Sequence, residues 1–282
     1  MLHRVRVWLA LFLLGTALPV SAQSVWTTPP RHADQISVEW LKPVFDDGND
    51  VSLLTSSLVI SAQAPLTDRL MLVGELPVAT ARFHSLSGFR DAETPSTSVG
   101  NPYFGLEVRS SDAPLFLEMG FRPPTTDDPG FWPSAIGSLT DLNRLGAYTV
   151  NQLPFQLVGN YYYDLASSPL SARLRVGPEV FFPAGGDAPS TMVLTYGGQG
   201  WYTAPNERLR VGLGLTGRWN TGRNAGFGES SLHHVTTTLQ GTFGDFQPGV
   251  VVRLPLETSY RDAFNAVLGL TVTVSLSEDS GS

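Results

Sequence analysis

The chain has 282 residues, a formal net charge of −7, no cysteine and a single lysine, Lys42. Without cysteine there is no disulfide framework, no thiolate catalysis and no Cys-ligated metal, and the acidic balance argues against nucleic acid as a partner. No linker, low-complexity block or charge run divides the sequence, so it reads as one domain.

The first residues form a secretory signal. Arg4 and Arg6 make a basic start, and Val7 to Val20 is apolar apart from Gly15, Thr16 and Pro19. Val20-Ser21-Ala22 then offers small residues for cleavage after Ala22. The apolar stretch is too short to span a bilayer as a helix. Cleavage removes two arginines and no acid, leaving 16 basic and 25 acidic side chains and a net charge of −9 on 260 residues. No apolar run beyond the signal is long enough for a membrane helix, but an exported chain can still span a bilayer by closing a β-barrel, which pairs every backbone group between strands.

From Ile36 onward the chain alternates in polarity over segments of about ten residues, the length of an outer-membrane strand. Strands are predicted at 36–45, 52–62, 69–78, 101–109, 114–122, 153–163, 171–182, 191–203, 208–219, 232–244, 248–256 and 265–276. In the clearest, Leu209, Val211, Leu213, Leu215 and Trp219 share one face; Arg210, Gly212, Gly214, Thr216 and Arg218 share the other. Short turns are expected at 65–68, 110–112, 167–169, 204–207 and 245–247. Longer loops alternate with them at 79–100, 123–152, 183–190, 220–231 and 257–264. Short periplasmic turns alternating with long external loops is the bacterial barrel pattern, and it places both termini in the periplasm. Aromatics on the apolar face fall in two bands, Phe121, Phe182 and Trp219 at the loop side and Tyr161, Tyr163, Tyr202 and Phe243 at the turn side.

A soluble β-sandwich would also alternate its faces. It accounts for neither the ten-residue strands throughout, nor the two aromatic bands, nor the asymmetry of turns and loops. The fold expected is therefore an all-β, transmembrane, antiparallel up-and-down barrel of about 12 strands with a polar lumen, in a Gram-negative-type outer membrane. The organisation expected is a signal peptide over 1–22, a periplasmic segment over 23–35, the barrel over 36–276 and a polar tail over 277–282.

The charges support this assignment energetically. An arginine facing lipid at midplane costs roughly 2–4 kcal/mol. Arg109, Arg122, Arg173, Arg175, Arg210, Arg218 and Arg253 all fall on the inner face, as do Glu75, Glu107, Glu118 and Glu179, which give them partners. These eleven are the candidate lumen and selectivity residues.

Several Gly-rich stretches resemble the outer-membrane barrels grouped as phenol-degradation MetA-pathway proteins, a transporter-like family. They are Gly100 to Glu107, Gly120 to Thr125, Arg175 to Glu179 and Gly212 to Trp219. The resemblance implies a barrel fold and a transport role, with no particular substrate. The last strand resembles the signal read by the barrel assembly machinery through Leu270, Val272, Val274 and Leu276, but lacks a terminal aromatic.

No catalytic, metal or cofactor motif is found. His233 and His234 are adjacent in a strand and point to opposite faces, so a shared metal is not expected. His234 faces the lumen, where a polar wall residue is the plainer reading than the base of a lipid-acting enzyme. Glu107 and Glu118 sit on neighbouring strands, but their arginine neighbours favour a salt-bridged wall over a paired-acid glycosidase. In loop 123–152, Ile136, Leu139, Leu142 and Leu145 recur every third residue after Pro133, which predicts a short helix with one apolar face. Two placements stay open, a constriction folded into the mouth or an external cap. The function expected is passive passage or uptake of small solutes. The alternatives are a closed structural or adhesive barrel and an enzyme acting on lipid. The expected partners are outer-membrane lipid, the assembly machinery and a small-molecule solute.

Overall fold

Alternation along the sequence becomes a closed wall. In the computed structural model, twelve long strands pair antiparallel around a ring. They are β1 (Gln35–Val44), β3 (Ser56–Thr67), β4 (Leu70–Ala81), β7 (Tyr103–Arg109), β8 (Leu115–Phe121) and β9 (Gln152–Asp164). The ring continues through β10 (Leu170–Pro183), β11 (Thr191–Thr203), β12 (Leu209–Asn220), β13 (Ser231–Gly241), β14 (Phe246–Pro255) and β15 (Ala266–Ser275). Closure is made by β1 on β15, in register from Gln35 opposite Ser275 to Val44 opposite Ala266. Three short strands, β2 (Asp50–Val51), β5 (Phe83–Ser85) and β6 (Ser96–Val99), lie in the loops. The structure describes residues 29–30, 33–45, 50–51, 54–85, 96–111, 113–126, 130–165, 168–185, 189–222, 226–261 and 264–276. The signal peptide expected over 1–22, most of the segment 23–35 and the tail 277–282 lie outside the described residues.

The expected faces hold. Leu213 on β12 is 62% exposed, whereas Gly212 and Gly214 beside it are buried. The same pattern covers β10, where Leu174 and Val176 are exposed and Arg173 and Arg175 are buried. A wall that is apolar outside and polar inside is what a bilayer requires. The one lysine, Lys42, stands on the outer face near the loop end of β1, where a long stem can carry its ammonium to the rim. Among the described residues no helix is long and apolar enough to cross a membrane.

Aromatic rings mark both rims. Phe104 joins Phe121 at the loop side with centroids 6.0 Å apart, and Tyr161 stacks on Tyr163 at the turn side at 6.5 Å. Both bands lie on the outer face, at the depth where amphipathic rings are favoured. A Leu213→Arg substitution should cost roughly 2–4 kcal/mol of folded stability in vesicles. Urea titration followed by heat-modifiable migration would read it, and a change under about 1 kcal/mol would contradict a lipid-facing midplane position for Leu213.

Two boundaries differ from the expectation. The second long strand runs Ser56–Thr67, four residues later than 52–62, and the hairpin turns at Asp68-Arg69 so that Pro65 to Thr67 belong to the strand. The cause is that Val59 faces inward and is buried between outward Leu58 and Ile60, which blurs the alternation. In the hairpin between β13 and β14, Phe243 bridges Phe246 across Gly244-Asp245, with Gly244 at φ 61°. That left-handed position suits glycine. It ends β13 at Gly241 and moves Phe246 and Gln247 into the next strand.

Candidate functional site

The lumen is built from the inward positions of the alternation, and the segment between β8 and β9 occupies it. A helix, Phe131–Thr140, begins there and is followed by a 3-10 turn, Leu142–Tyr148. The interior offers this segment an apolar patch near the loop ends of the strands. Ile136 packs on Ala81, and Leu139 packs against the cluster of Leu41, Val251, Phe264 and Val267. Tyr148 lies on Ala79 and Ala147. Of the two placements left open by the sequence, the segment therefore takes the inner one. Burial of the helix's apolar face against the inner wall is the driving term.

Polar anchors fix the depth of the plug. Ser57 and Thr140 share a hydrogen bond of 2.6 Å, and Arg253 donates to the Thr140 carbonyl at 2.7 Å. Arg218 donates to the Leu142 carbonyl at 2.8 Å. Asn101 donates to the Thr149 carbonyl at 2.7 Å, while its own side-chain oxygen accepts from the amides of Thr125 and Thr126. Gly100 lets the backbones approach, since a Cβ there would stand 2.6 Å from the Ala147 carbonyl oxygen. The next amide, of Asn101, donates to that same oxygen at 2.5 Å.

At the centre is a buried charge knot. Arg144 contacts Glu39 at 2.5 Å and Asp141 at 2.6 Å, and its Nε pairs with Glu75. Arg122 pairs with the other oxygen of Glu75, and Arg253 reaches Asp141 at 3.2 Å. One plug arginine thus joins carboxylates on β1 and β4 to one on the plug itself. Burial alone would raise the Asp141 carboxyl, but Arg253 and Arg144 beside it hold it below the ordinary carboxylate range. Its contribution to docking is complete above its undocked value of about 3.9 and is lost as pH falls below that toward the depressed docked value. The docked segment should accordingly loosen as pH is lowered from about 5 to about 3, seen as a rise in the mobility of a spin label on it, with a smaller rise in Asp141→Asn. An equal rise in both would remove Asp141 from the docking mechanism.

A second charged layer fills the opposite wall. Arg173 is fully buried, donates twice to the Asn160 side-chain oxygen at 2.9 and 2.7 Å, and stands 3.9 Å from Glu118. Arg109 pairs with Glu107 at 2.6 Å. The guanidinium carbons of Arg109 and Arg173 both lie 5.1 Å from the Phe116 ring centroid, so the aromatic holds two cations in a dry interior. Tyr103 donates to Glu118 at 3.3 Å, and Arg122 lies over its ring. The ring fits only because Gly105 and Gly120 leave its space free; a Cβ at either would overlap the phenol.

All eleven sequence-selected residues face inward. Arg122, Arg173, Arg175, Arg218, Arg253, Glu75, Glu107, Glu118 and Glu179 are buried; Arg109 and Arg210 are partly exposed. Arg218 pairs with Glu179, and Arg210 donates to Gln240 at 3.1 Å. Three central residues were not selected: Glu39, Asp141 and Arg144. Glu39 carries a readable signal, because Ser37, Glu39 and Leu41 alternate against Ile36, Val38 and Trp40. Nothing in the pattern of a loop marks Asp141 or Arg144. Inward Tyr103, Phe116 and Trp201 were also missed, although each stands at a polar-face position.

His234 is buried and its Nε2 shares a hydrogen bond with Thr216. His233 points to the outer face, as expected from adjacency in a strand. Among the described residues no group of three or more metal-ligating side chains is assembled. Below the second layer, a cavity of about 730 Å³ opens at the turn end beside Tyr162, Asp164, Ser171, Thr203 and Arg210.

No family model matches the chain, and no curated protein matches it by sequence. Solved structures do match. The COG4313 outer membrane channel from Pseudomonas putida F1 aligns over 90% of this chain and 99% of its own, at 17% identity and a TM-score of 0.54. The KdgM porin aligns over 86% and 99% at 13% identity, with a TM-score of 0.46. The toluene transporter TodX of P. putida aligns over 92% and 94% at 9% identity, with a TM-score of 0.46. The first of these defines the class. This chain has the fold of an outer-membrane channel, a closed antiparallel barrel of twelve strands.

Proposed function

We propose that the protein is a passive outer-membrane channel for uptake of small solutes, gated by the segment Phe131–Tyr148. The observation that carries this reading is the charged inner face of the barrel wall, against which that segment is docked through Glu39, Glu75 and Ser57. A barrel of eight strands is filled by side chains and one of sixteen leaves an aqueous channel; twelve strands leave a lumen that a single inserted segment can close. The reading takes the long loops as external and both termini as periplasmic. It agrees with the resemblance to phenol-degradation MetA-pathway barrels, which implies a transport role.

On the described inner wall, Arg109, Arg122, Arg173, Arg175, Arg210, Arg218 and Arg253 outnumber Glu39, Glu75, Glu107, Glu118, Glu179 and Asp164. Rings of fixed charge set ion preference in a pore, so the open state is expected to prefer anions. The test is single-channel recording of the mature protein in a planar bilayer under a salt gradient. Discrete steps with an anion-selective reversal potential support the channel. Silence from a properly inserted barrel, persisting after deletion of 131–146, would leave the second reading, a closed barrel that binds a partner through its loops. The buried charge layer around Arg173 is the observation that favours that alternative.

A further inference from the structure

The outer wall carries a feature that neither a channel nor a smooth lipid-facing surface needs. An apolar trough of about 890 Å³ crosses the membrane face of β7 to β12. Its floor and walls follow two cross-strand rows. One runs Val108, Leu117, Gly159, Val176, Tyr196, and the row beside it runs Leu115, Tyr161, Leu174, Gly198, Leu215. Gly159 sets the depth, standing where neighbouring positions carry Leu, Val or Tyr, while the space at Gly198 is partly covered by Leu174, whose side chain a Cβ there would meet at 3.1 Å. A Cβ on Gly159 would meet nothing closer than 3.7 Å, so the space over it is open. Because barrel strands tilt, a row perpendicular to them climbs across the bilayer. Val108 is near the turn end of its strand, while the same row reaches the loop end at His233.

At that upper end the trough meets a polar group. The first row continues from Tyr196 through Gly217 to His233, and Gly217 lets the two rings meet; a Cβ there would stand 2.5 Å from Tyr196 and 2.6 Å from His233. The Tyr196 hydroxyl and His233 Nε2 are 2.5 Å apart, and Glu257 bonds both Nδ1 and the backbone amide of His233, the latter at 2.7 Å. Phe227 walls the group, 6.0 Å from Tyr196 and 5.9 Å from His233. The chain is bonded throughout, and its His233 and Glu257 side chains stay about one-fifth exposed, open to a polar group from outside. It is not arranged for hydrolysis: His233 Nε2 is taken by the phenol, and the nearby Ser231 hydroxyl donates to the Phe227 carbonyl.

We propose that this is a binding site for one single-chain amphiphile of the loop-side leaflet, with its acyl chain in the Gly159–Gly198 trough and its polar head on Tyr196, His233 and Glu257. The Tyr196 hydroxyl is bonded to His233 and also to Ser231, so the open acceptor of the group is the Glu257 carboxylate, which takes a hydroxyl donor and disfavours an anion. The head is therefore an uncharged, hydroxyl-bearing group of the glycerol or sugar type rather than a phosphate.

The test uses the mature protein in phosphatidylcholine vesicles containing a trace of monoacylglycerol with a photoactivatable acyl chain. Cross-links mapped by peptide mass spectrometry should concentrate on β9 to β11 and be displaced by unlabelled monoacylglycerol but not by a monoacyl phosphate of equal chain length. Gly159→Leu, which fills the trough, should abolish displaceable labelling. Glu257→Gln, which removes the charged acceptor, should weaken it about tenfold or more, the range one hydrogen bond to a charged group supplies. Heat-modifiable migration checks that both variants fold. Labelling spread evenly over the lipid face, labelling unchanged in Gly159→Leu, or equal displacement by the phosphate would each overturn the proposal. The site lies outside the lumen, so conductance of the same variants reports separately on the channel.

Discussion

Arg144→Met should convert a mostly closed barrel into one with frequent, large conductance steps. Arg144 is the only cation that the plug brings to Glu39 and Glu75 among the described residues, and all three side chains are buried. Removing one partner of a buried ion pair typically costs about 3–5 kcal/mol when the remaining charge is left uncompensated; because Arg122 still pairs with Glu75 and Arg253 stands 4.0 Å from Glu39, the low end is expected. Referred to docking, about 3 kcal/mol lowers the ratio of docked to undocked plug by about two powers of ten. Methionine keeps much of the side-chain volume, so apolar packing of Ile136 and Leu139 is little disturbed. Deletion of 131–146 sets the ceiling: Arg144→Met should approach its conductance, and Arg253→Met, which contacts Asp141 at 3.2 Å and the Thr140 carbonyl, should fall between. If deletion leaves conductance unchanged, the segment does not constrict. If deletion raises it and Arg144→Met does not, docking rests on apolar contact alone.

The second large effect is expected at Arg173, and it is on stability. This guanidinium is fully buried among Asn160, Glu118 and Phe116, so its loss leaves Glu107 and Glu118 facing each other across β7 and β8 with less counter-charge. Arg173→Met should destabilise the barrel by about 3–5 kcal/mol, seen as a lower urea midpoint for loss of heat-modifiable migration in vesicles. Adding Glu118→Gln should recover much of that loss, since the pair is removed together and no charge is stranded. The coupling is the informative quantity. Additive effects of the two substitutions would mean that Arg173 acts through packing on Phe116 and its bonds to Asn160, not through charge.

The same two residues show how much could be read beforehand. Arg173 was found because it stands in a strand, where side chains alternate strictly and a charge opposite Leu174 and Val176 must face inward. Its neighbours could not be found that way. Phe116 is an aromatic at a polar-face position, and only the register of β8 on β9 and β9 on β10 brings it beside Arg173. Arg144 lies in a loop, where no period constrains direction, so its three carboxylate partners were invisible. The periodicity of Ile136, Leu139, Leu142 and Leu145 predicted a helix with an apolar face, and a helix forms at Phe131–Thr140. Whether it packed inside or outside depended on Leu41, Val251 and Val267, inward apolar residues from three strands that gather only on closure.

Sequence alone determined the wall: strand number, the two faces, the aromatic bands and the inward arginines and glutamates all follow from a two-residue period imposed by backbone geometry. It also determined that the lumen would be charged, because lipid excludes those side chains from the other face. The tertiary structure decided what occupies the lumen and how the charges pair. Those are properties of residues far apart in sequence, such as Glu39, Glu75, Asp141 and Arg253, whose distances are set by strand order, register and ring closure rather than by any local pattern. The trough ending at Tyr196, His233 and Glu257 has the same origin: three glycines on three strands are unremarked in sequence and become one surface when the strands align.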